Sequence, residues 1–191
     1  TPSETTQAVT EGSGSTDTYT LKLDQAPTSD VTVTISSNNT SAATVTGSLT
    51  FEVDDTNGLI WSDTQIIAVT PVDDDNATNE SVTISHSLSG GGYTGASVTD
   101  VVVTVTDDDT QAVTLSAASG TVTEGSTGTY TVKLATQPTG TVTVAVSSGE
   151  AGAATISPSS LTFEVNDDNG LIWSDVQTVT ITGVSDDDAT N

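Results

Sequence analysis

Three adjacent aspartates, Asp107–Asp109, separate two strand-like runs in the segment "TVTDDDTQAVTL". A second triplet, Asp73–Asp75, is followed five residues later by Glu80. No Lys or Arg lies near either triplet in the sequence. Adjacent carboxylates repel one another and oppose a compact fold unless positive charge offsets them. Carboxylates grouped in this way are suited to binding cations.

The charge of the whole chain supports this interpretation. Among 191 residues, 26 are acidic and 2 are basic, which gives a net charge of −24. Nucleic acids and anionic membranes both require a basic surface, so neither is an expected partner. A solvated acidic surface would explain scattered acids but not triplets. The chain has no run of about 18 apolar residues, so we expect no membrane insertion.

The chain contains an internal repeat. The segment "FEVDDTNGLIWSD" at 51–63 returns as "FEVNDDNGLIWSD" at 163–175, and "VTEG" at 9–12 returns at 122–125. The offset stays near 112 residues, which is too long for a solenoid repeat and is typical of tandem domains. We therefore predict one domain over residues 1–109 and a second over residues 110–191.

Both copies show the pattern of β-strands. Runs such as "DTYTLKL", "VTVTIS" and "SVTISHSL" alternate apolar and polar residues, and Gly, Asn, Asp, Pro and Ser separate them. No stretch has a helical period. These features predict an all-β fold of two tandem immunoglobulin-like antiparallel β-sandwiches. The second copy has no segment matching "SVTISHSLSGGGYTGASVTDVVVTVTDDD", so we expect it to lack about two strands in this chain.

The acidic segments and the repeat together resemble the Calx-β family. Its members carry Glu-Gly after the first strand, an acidic run at mid-domain and an acidic triplet after the last strand. The resemblance covers essentially the whole chain, although the mid-domain run is thinner in acids here. It implies a calcium site at one end of each sandwich, with candidate ligands Glu11, Asp73, Asp74, Asp75, Glu80, Asp107, Asp108, Asp109, Glu124, Asp186, Asp187 and Asp188.

The chemistry of these residues agrees with calcium as the cofactor. Ca²⁺ takes 6–8 oxygen ligands and tolerates irregular geometry, so carboxylates from three segments could supply them. Zn²⁺ and Cu²⁺ favour His and Cys, whereas the chain has one His and no Cys. In the second copy, the terminal triplet is missing, and its site would need another segment to complete it.

Other notable residues have structural interpretations. Asp54, Asp55, Asp167 and Asp168 precede Asn-Gly pairs, which favour hairpin turns over metal sites. We expect Trp61 and Trp173 to be core anchors, and Tyr19 and Tyr130 to pack on their strands. His86 has no Gly-x-Ser-x-Gly elbow to serve, so we expect a strand residue. No catalytic arrangement is indicated, and we predict that the protein is not an enzyme.

The leading functional prediction is a calcium-binding structural or adhesive repeat of a long extracellular or cell-surface protein. Calcium would stiffen the loops and the junction between neighbouring repeats. A first alternative is a self-assembling extracellular fibre or sheath subunit, in which strand exchange between chains completes the second copy. A second alternative is a regulatory Ca²⁺ sensor domain.

Overall fold

The computed structural model describes residues 1–54, 56, 58, 60–166 and 172–185. The chain forms two compact units. The first comprises Thr1–Asp74 and Thr78–Asp108, and the second comprises Asp75–Ala77 and the described residues from Asp109 onward. None of the described residues belongs to a helix that could cross a membrane. The all-β fold predicted from the alternation of residues is confirmed.

The first unit contains eight strands that form two sheets. Its strands are β1 (Thr6–Thr10), β2 (Asp17–Leu21), β3 (Val31–Ser37), β4 (Ala43–Val45), β5 (Ser48–Phe51), β6 (Gln65–Pro71), β7 (Glu80–Gly90) and β8 (Val101–Thr106). One sheet has the order β1-β8-β7-β3-β5, and the other has the order β2-β6-β4. This is the arrangement of an immunoglobulin-like sandwich with one strand, β5, added beside β3.

The strand pairs of the first unit are antiparallel with one exception. Strand β1 runs parallel to β8, in a register that places Thr6 opposite Val102 and Thr10 opposite Thr106. The alternation of residues does not reveal strand direction, so the sequence prediction of an antiparallel sandwich missed this pair. Its consequence is that β1 and β8 end at the same edge of the sheet.

The core of the first unit follows from the two-residue period of its strands. On β3, Val31 and Val33 are 0% exposed, whereas Thr32 is half-buried and Thr34 is exposed. Strand β8 buries Val101, Val103 and Val105 in the same way. Burial of one face by two sheets provides the main stabilisation of such a sandwich.

The second unit repeats part of this architecture with six strands. They are β9 (Val113–Leu115), β10 (Thr127–Leu134), β11 (Val142–Ala145), β12 (Ala154–Ser157), β13 (Ser160–Phe163) and β14 (Gln177–Gly183). One sheet has the order β12-β14-β10-β9, and the other contains only β11 and β13. Strands β10, β11, β12, β13 and β14 match β2, β3, β4, β5 and β6. Among the described residues of the second unit, no strand matches β7 or β8.

The hairpin part of the Asn-Gly prediction is wrong, whereas its preference for a turn over a metal site stays a prediction. The strands that flank Asn57-Gly58 are β5 and β6, and they pair in different sheets. The chain crosses from one sheet to the other here, and a two-residue hairpin cannot make such a crossing. The strands around Asn169-Gly170, β13 and β14, behave in the same way. Asp55, Asn57, Asp167, Asp168, Asn169 and Gly170 lie outside the described residues.

The tryptophans occupy equivalent places in the two units. The Trp61 amide donates to the Glu52 carbonyl at 2.8 Å, and the Trp173 amide donates to the Glu164 carbonyl at the same distance. Each side chain is half-buried and packs against the core of its own unit. Both therefore act as core anchors, as we predicted.

Candidate metal centre

The parallel pairing of β1 and β8 brings two acidic residues to one edge of the first unit. Glu11 directly follows β1, and Asp107 directly follows β8. The Glu11 amide donates to the Thr106 carbonyl at 2.9 Å, which extends the pairing by one residue. Because both strands run in the same direction, their carboxyl ends deliver the two side chains side by side.

A third carboxylate comes from the loop between β6 and β7. One oxygen from each of Glu11, Asp74 and Asp107 lies within 4.8 Å of the other two. The Asp74 amide also donates to Oε2 of Glu11 at 3.3 Å. Three segments that are distant in sequence therefore meet at one point, which lies entirely within the first unit.

The position of Glu11 is unusual for a carboxylate. Its side chain is 1% exposed, and its Oε1 atom has no hydrogen-bond partner among the described residues. A buried carboxylate oxygen without a partner costs free energy, because its hydration is lost and nothing replaces it. An oxygen of this kind among other carboxylates is suited to accept a cation.

Electrostatics at this site strengthen the same conclusion. The pKa of Glu11 is raised to about 7, chiefly by burial; the bond from the Asp74 amide opposes the rise, and repulsion from Asp74, Glu80 and Asp107 adds to it. In the absence of a cation, the folded protein therefore resists ionising Glu11. A bound cation would reverse this effect, since an opposite charge favours the ionised form.

The Asp107 carboxylate is held by the loop that precedes β7. Its Oδ2 accepts a hydrogen bond from the Thr78 amide at 2.7 Å, and its own amide donates to Oδ1 of Asn79 at 2.9 Å. Sequence reasoning did not assign a role to Asn79. The signal was available in "DDDNATNE", where two asparagines, Asn76 and Asn79, stand between the acidic triplet and Glu80.

Gly12 accounts for the Glu-Gly motif. It adopts a φ of +59°, and a Cβ atom at this position would overlap the Asp108 carboxylate. The exposed Asp108 side chain thus lies against the backbone that follows Glu11. Glycine satisfies both the backbone conformation and the close approach.

The remaining predicted ligands have varied positions. In the first unit, Glu80 begins β7 opposite Val105 and is half-buried, and Asp73 is exposed. Asp75 and Asp109 belong to the second unit, where the Asp75 carbonyl accepts a bond from the Gln137 amide at 2.6 Å. Glu124 is half-buried and bridges to Gly183. Asp186, Asp187 and Asp188 lie outside the described residues.

Among known proteins, only solved structures are similar to this chain. No protein-family model matches it, and no curated protein matches it. Its fold is similar to two solved structures, the calcium-binding domain CBD12 of CALX1.1, at 16% identity and a TM-score of 0.41, and CBD12 from CALX1.2, at 17% and 0.39. The matches cover 94% and 96% of this chain and 73% of each of those chains. Another similar structure is the YadV chaperone, at 9% identity and a TM-score of 0.38, with 99% of this chain and 88% of that chain covered.

Proposed function

We propose that this chain is a non-enzymatic calcium-binding module of a long extracellular or cell-surface protein. The observation that carries the proposal is the meeting of Glu11, Asp74 and Asp107 around a buried carboxylate oxygen that has no partner among the described residues. Oxygen atoms bound to one Ca²⁺ at 2.3–2.6 Å lie at most about 5 Å apart, so the observed spacing fits this ion.

The donor set favours calcium over the alternatives. All three side chains offer carboxylate oxygen, and backbone carbonyls and water can supply the other ligands of a hard cation. Mg²⁺ demands a near-ideal octahedron and gives up its water reluctantly, so a cluster on three separate segments suits it less well. Glu80, Asp73 and Asp108 would add negative charge around the ion.

The module's role would be structural. Bound calcium would tie the ends of β1 and β8 to the loop before β7, and so fix the segment at which the chain enters the second unit. Residues 107–112 connect β8 to β9 and begin with the Asp107–Asp109 triplet, so calcium at Asp107 would stiffen this linker. Neighbouring repeats of the same protein would then be the mechanical partners, in an adhesive stalk or matrix component.

An extracellular location is part of this proposal. Calcium modules outside cells work at Kd values of about 10⁻⁴–10⁻³ M, because free calcium is abundant there. A site with three carboxylates suits this range. The absence of cysteine leaves the fold without disulfides, which increases the importance of an ion that binds only the folded state.

Thermal melting with and without calcium tests the proposal. We expect millimolar CaCl₂ to raise the melting temperature of the first unit in 150 mM KCl, and EDTA to reverse the rise. Magnesium at the same concentration controls for screening of the net charge of −24. Equal effects of the two ions, or no effect of either, would contradict a calcium site.

A further inference from the structure

Strand β1 leaves one side of its backbone unpaired. It stands at the edge of the five-stranded sheet, and in the described part of the chain only β8 pairs with it. The Val102 amide of β8 donates to the Thr5 carbonyl at 2.9 Å. Because backbone groups alternate in direction along a strand, the amides and carbonyls of Thr6 and Ala8 point away from β8. Unpaired groups of this kind form a template for a further strand.

The segment that precedes β1 pairs with the other sheet. Pro2 bridges to Leu21 of β2, and the Ser3 amide donates to the Thr20 carbonyl at 2.8 Å. These residues extend the sheet β2-β6-β4, so they leave the edge of β1 open. The edge lies within the first unit, and the segments on both sides of it are described.

The open edge is bordered by a groove of 340 Å³ that carries negative charge. Its lining consists of Glu4, Thr6, Gln7, Ala8 and Asp17. Glu4 is exposed, and Asp17, the first residue of β2, is half-buried. The lining contains two carboxylates and no basic side chain. A cationic group is therefore the complementary occupant.

The side chain of Gln7 points to a ligand independently of this charge. It is 6% exposed, and its Nε2 donates to Oε2 of Glu4 at 2.9 Å. Because a carboxylate only accepts hydrogen bonds, this contact fixes the orientation of the amide. Its Oε1 is buried and has no hydrogen-bond partner among the described residues. A buried amide oxygen costs free energy until a donor reaches it.

These polar residues are particular to the first copy of the repeat. The alignment of the copies places a small residue opposite each of them: Glu4 with Ala117, Gln7 with Gly120, and Asp17 with Gly128. Strand β10, which matches β2, forms without them. The groove is therefore not part of the repeated architecture, and all three of its distinctive groups are hydrogen-bond acceptors or neighbours of one.

We propose that the free edge of β1 binds an extended segment of a separate protein, with a Lys or Arg side chain directed into the groove. The backbone of this segment would pair with Thr6 and Ala8. Its ammonium or guanidinium group would donate to Oε1 of Gln7 and lie near the carboxylates of Glu4 and Asp17. This is strand addition, in which main-chain bonds give affinity and the side-chain pocket gives specificity.

The composition of the chain argues for a different protein as the source of this segment. The chain has only two basic residues, Lys22 and Lys133, among 191. A second copy, with a net charge of −24, would also be repelled. None of the groove residues is a proposed calcium ligand, so this inference does not depend on the calcium site.

Titration of the full chain with a synthetic peptide tests the inference. The probe is acetyl-TVTKTVT-amide, in which valine and lysine share one face of an extended strand, and its control carries norleucine in place of lysine. In about 150 mM KCl, we expect saturable one-to-one binding of the lysine peptide. The control should bind at least about tenfold more weakly, since the hydrogen bond from a charged group is lost. Amide exchange at Thr6 and Ala8 should slow with the lysine peptide.

Variants of the chain separate the contributions of backbone and side chains. Ala8→Pro removes an amide that points away from β8, so it should keep the β1–β8 pairing and abolish peptide binding. Gln7→Leu removes the buried oxygen at similar volume. It should weaken the lysine peptide by about tenfold or more without lowering the melting temperature. Asp17→Asn should also weaken binding, whereas Asp100→Asn, which removes the same charge outside the groove, should not.

Several results would overturn the proposal. They are equal binding of the two peptides, no binding of either, and full binding of the lysine peptide to Gln7→Leu. Equal weakening by Asp17→Asn and Asp100→Asn would also do so, because it would show attraction to the net charge alone. A dimer that forms without peptide and is lost in Ala8→Pro would assign the edge to a second copy and would likewise overturn it.

Discussion

The Asp108 carboxylate occupies the space that a Cβ atom on Gly12 would need. This relationship links the end of β1 to the acidic segment after β8, and it predicts a specific effect of Gly12→Ala. The alanine would be strained at φ +59° and would also displace Asp108. We expect a loss of about 1–3 kcal/mol in the free energy of unfolding and weaker calcium binding.

Gly125→Ala provides the matched control for this prediction. Gly125 follows Glu124 in the second copy and has a φ of +69°, but a Cβ atom there would meet nothing within 4 Å. The Gly125→Ala variant should therefore show the backbone strain without the displacement of an acidic side chain. If both substitutions changed the calcium response of the first unit equally, the contact between Gly12 and Asp108 would have no role in the site. Chemical denaturation with and without calcium measures both effects.

Glu11→Gln should have opposite effects on the calcium-free and calcium-bound protein. Without calcium, the glutamine removes a buried carboxylate that is repelled by its neighbours, so the folded state should gain stability at pH 8. With calcium, the variant lacks a charged ligand and should bind more weakly. A variant that lost stability in EDTA as well would show that the carboxylate serves the fold rather than an ion.

The raised pKa of Glu11 predicts how the stability of the calcium-free protein depends on pH. Between pH 4.5 and 7, folded Glu11 holds its proton more tightly than the unfolded residue does. Stability from this residue is therefore greatest at low pH and falls as pH rises toward 7, by about 1–3 kcal/mol in total. The difference in stability between the wild-type protein and Glu11→Gln in EDTA, measured from pH 4.5 to 8, isolates this effect from the other carboxylates.

His86 should make stability depend on pH with the opposite sign, so that stability rises with pH. Burial lowers its pKa, the charge of Asp100 raises it, and the N-terminal amine lowers it. The unfolded chain takes up a proton near pH 6.5 and the folded chain resists it, so stability from His86 is lost as pH falls below 6.5. In His86→Gln, this loss should disappear. Tyr19→Phe removes the bond to Nε2 and should cost about 1 kcal/mol at pH 8.

Much of the fold could be predicted from the sequence. The period-two alternation of apolar and polar residues indicates strands locally, and the repeat at about 112 residues indicates two domains when the chain is compared with itself. The segments "VTVTIS" and "SVTISHSL" correspond to β3 and β7 with shifts of one or two residues. Alternation does not state which strands are neighbours or in which direction they run. The parallel pair β1–β8 and the crossing between β5 and β6 were missed for that reason.

The candidate site was also predicted only in part. Residue types and spacing indicated the acids, and the Calx-β resemblance indicated that three segments would meet. The sequence did not distinguish Asp74 from Asp73 and Asp75, because three identical neighbours differ only in how the loop turns. Nor did it reveal that Asn79 holds the Asp107 backbone or that Gly12 makes room for Asp108, since both depend on packing between distant segments.

The proposed stiffening of the linker is tested by small-angle scattering. We expect the distribution of particle dimensions to narrow when calcium is added to the wild-type protein, and to stay broad in Asp107→Asn. Without the ion, the acids of residues 107–109 repel nearby carboxylates over a Debye length of about 8 Å, and the linker should move more freely. Identical distributions with and without calcium would remove the mechanical role while leaving the binding site intact.

The central claim is that Glu11, Asp74 and Asp107 bind calcium, and isothermal titration calorimetry tests it most directly. We predict a saturable calcium isotherm in 150 mM KCl that Asp107→Asn weakens by about tenfold or more, since ligand charge sets the affinity of such sites. Asp100→Asn is the charge-matched control, because Asp100 precedes β8 at its other end, about 20 Å away along the strand. Its isotherm should match that of the wild-type protein. Equal weakening by both substitutions, or no saturable binding to the wild-type protein, would contradict the account.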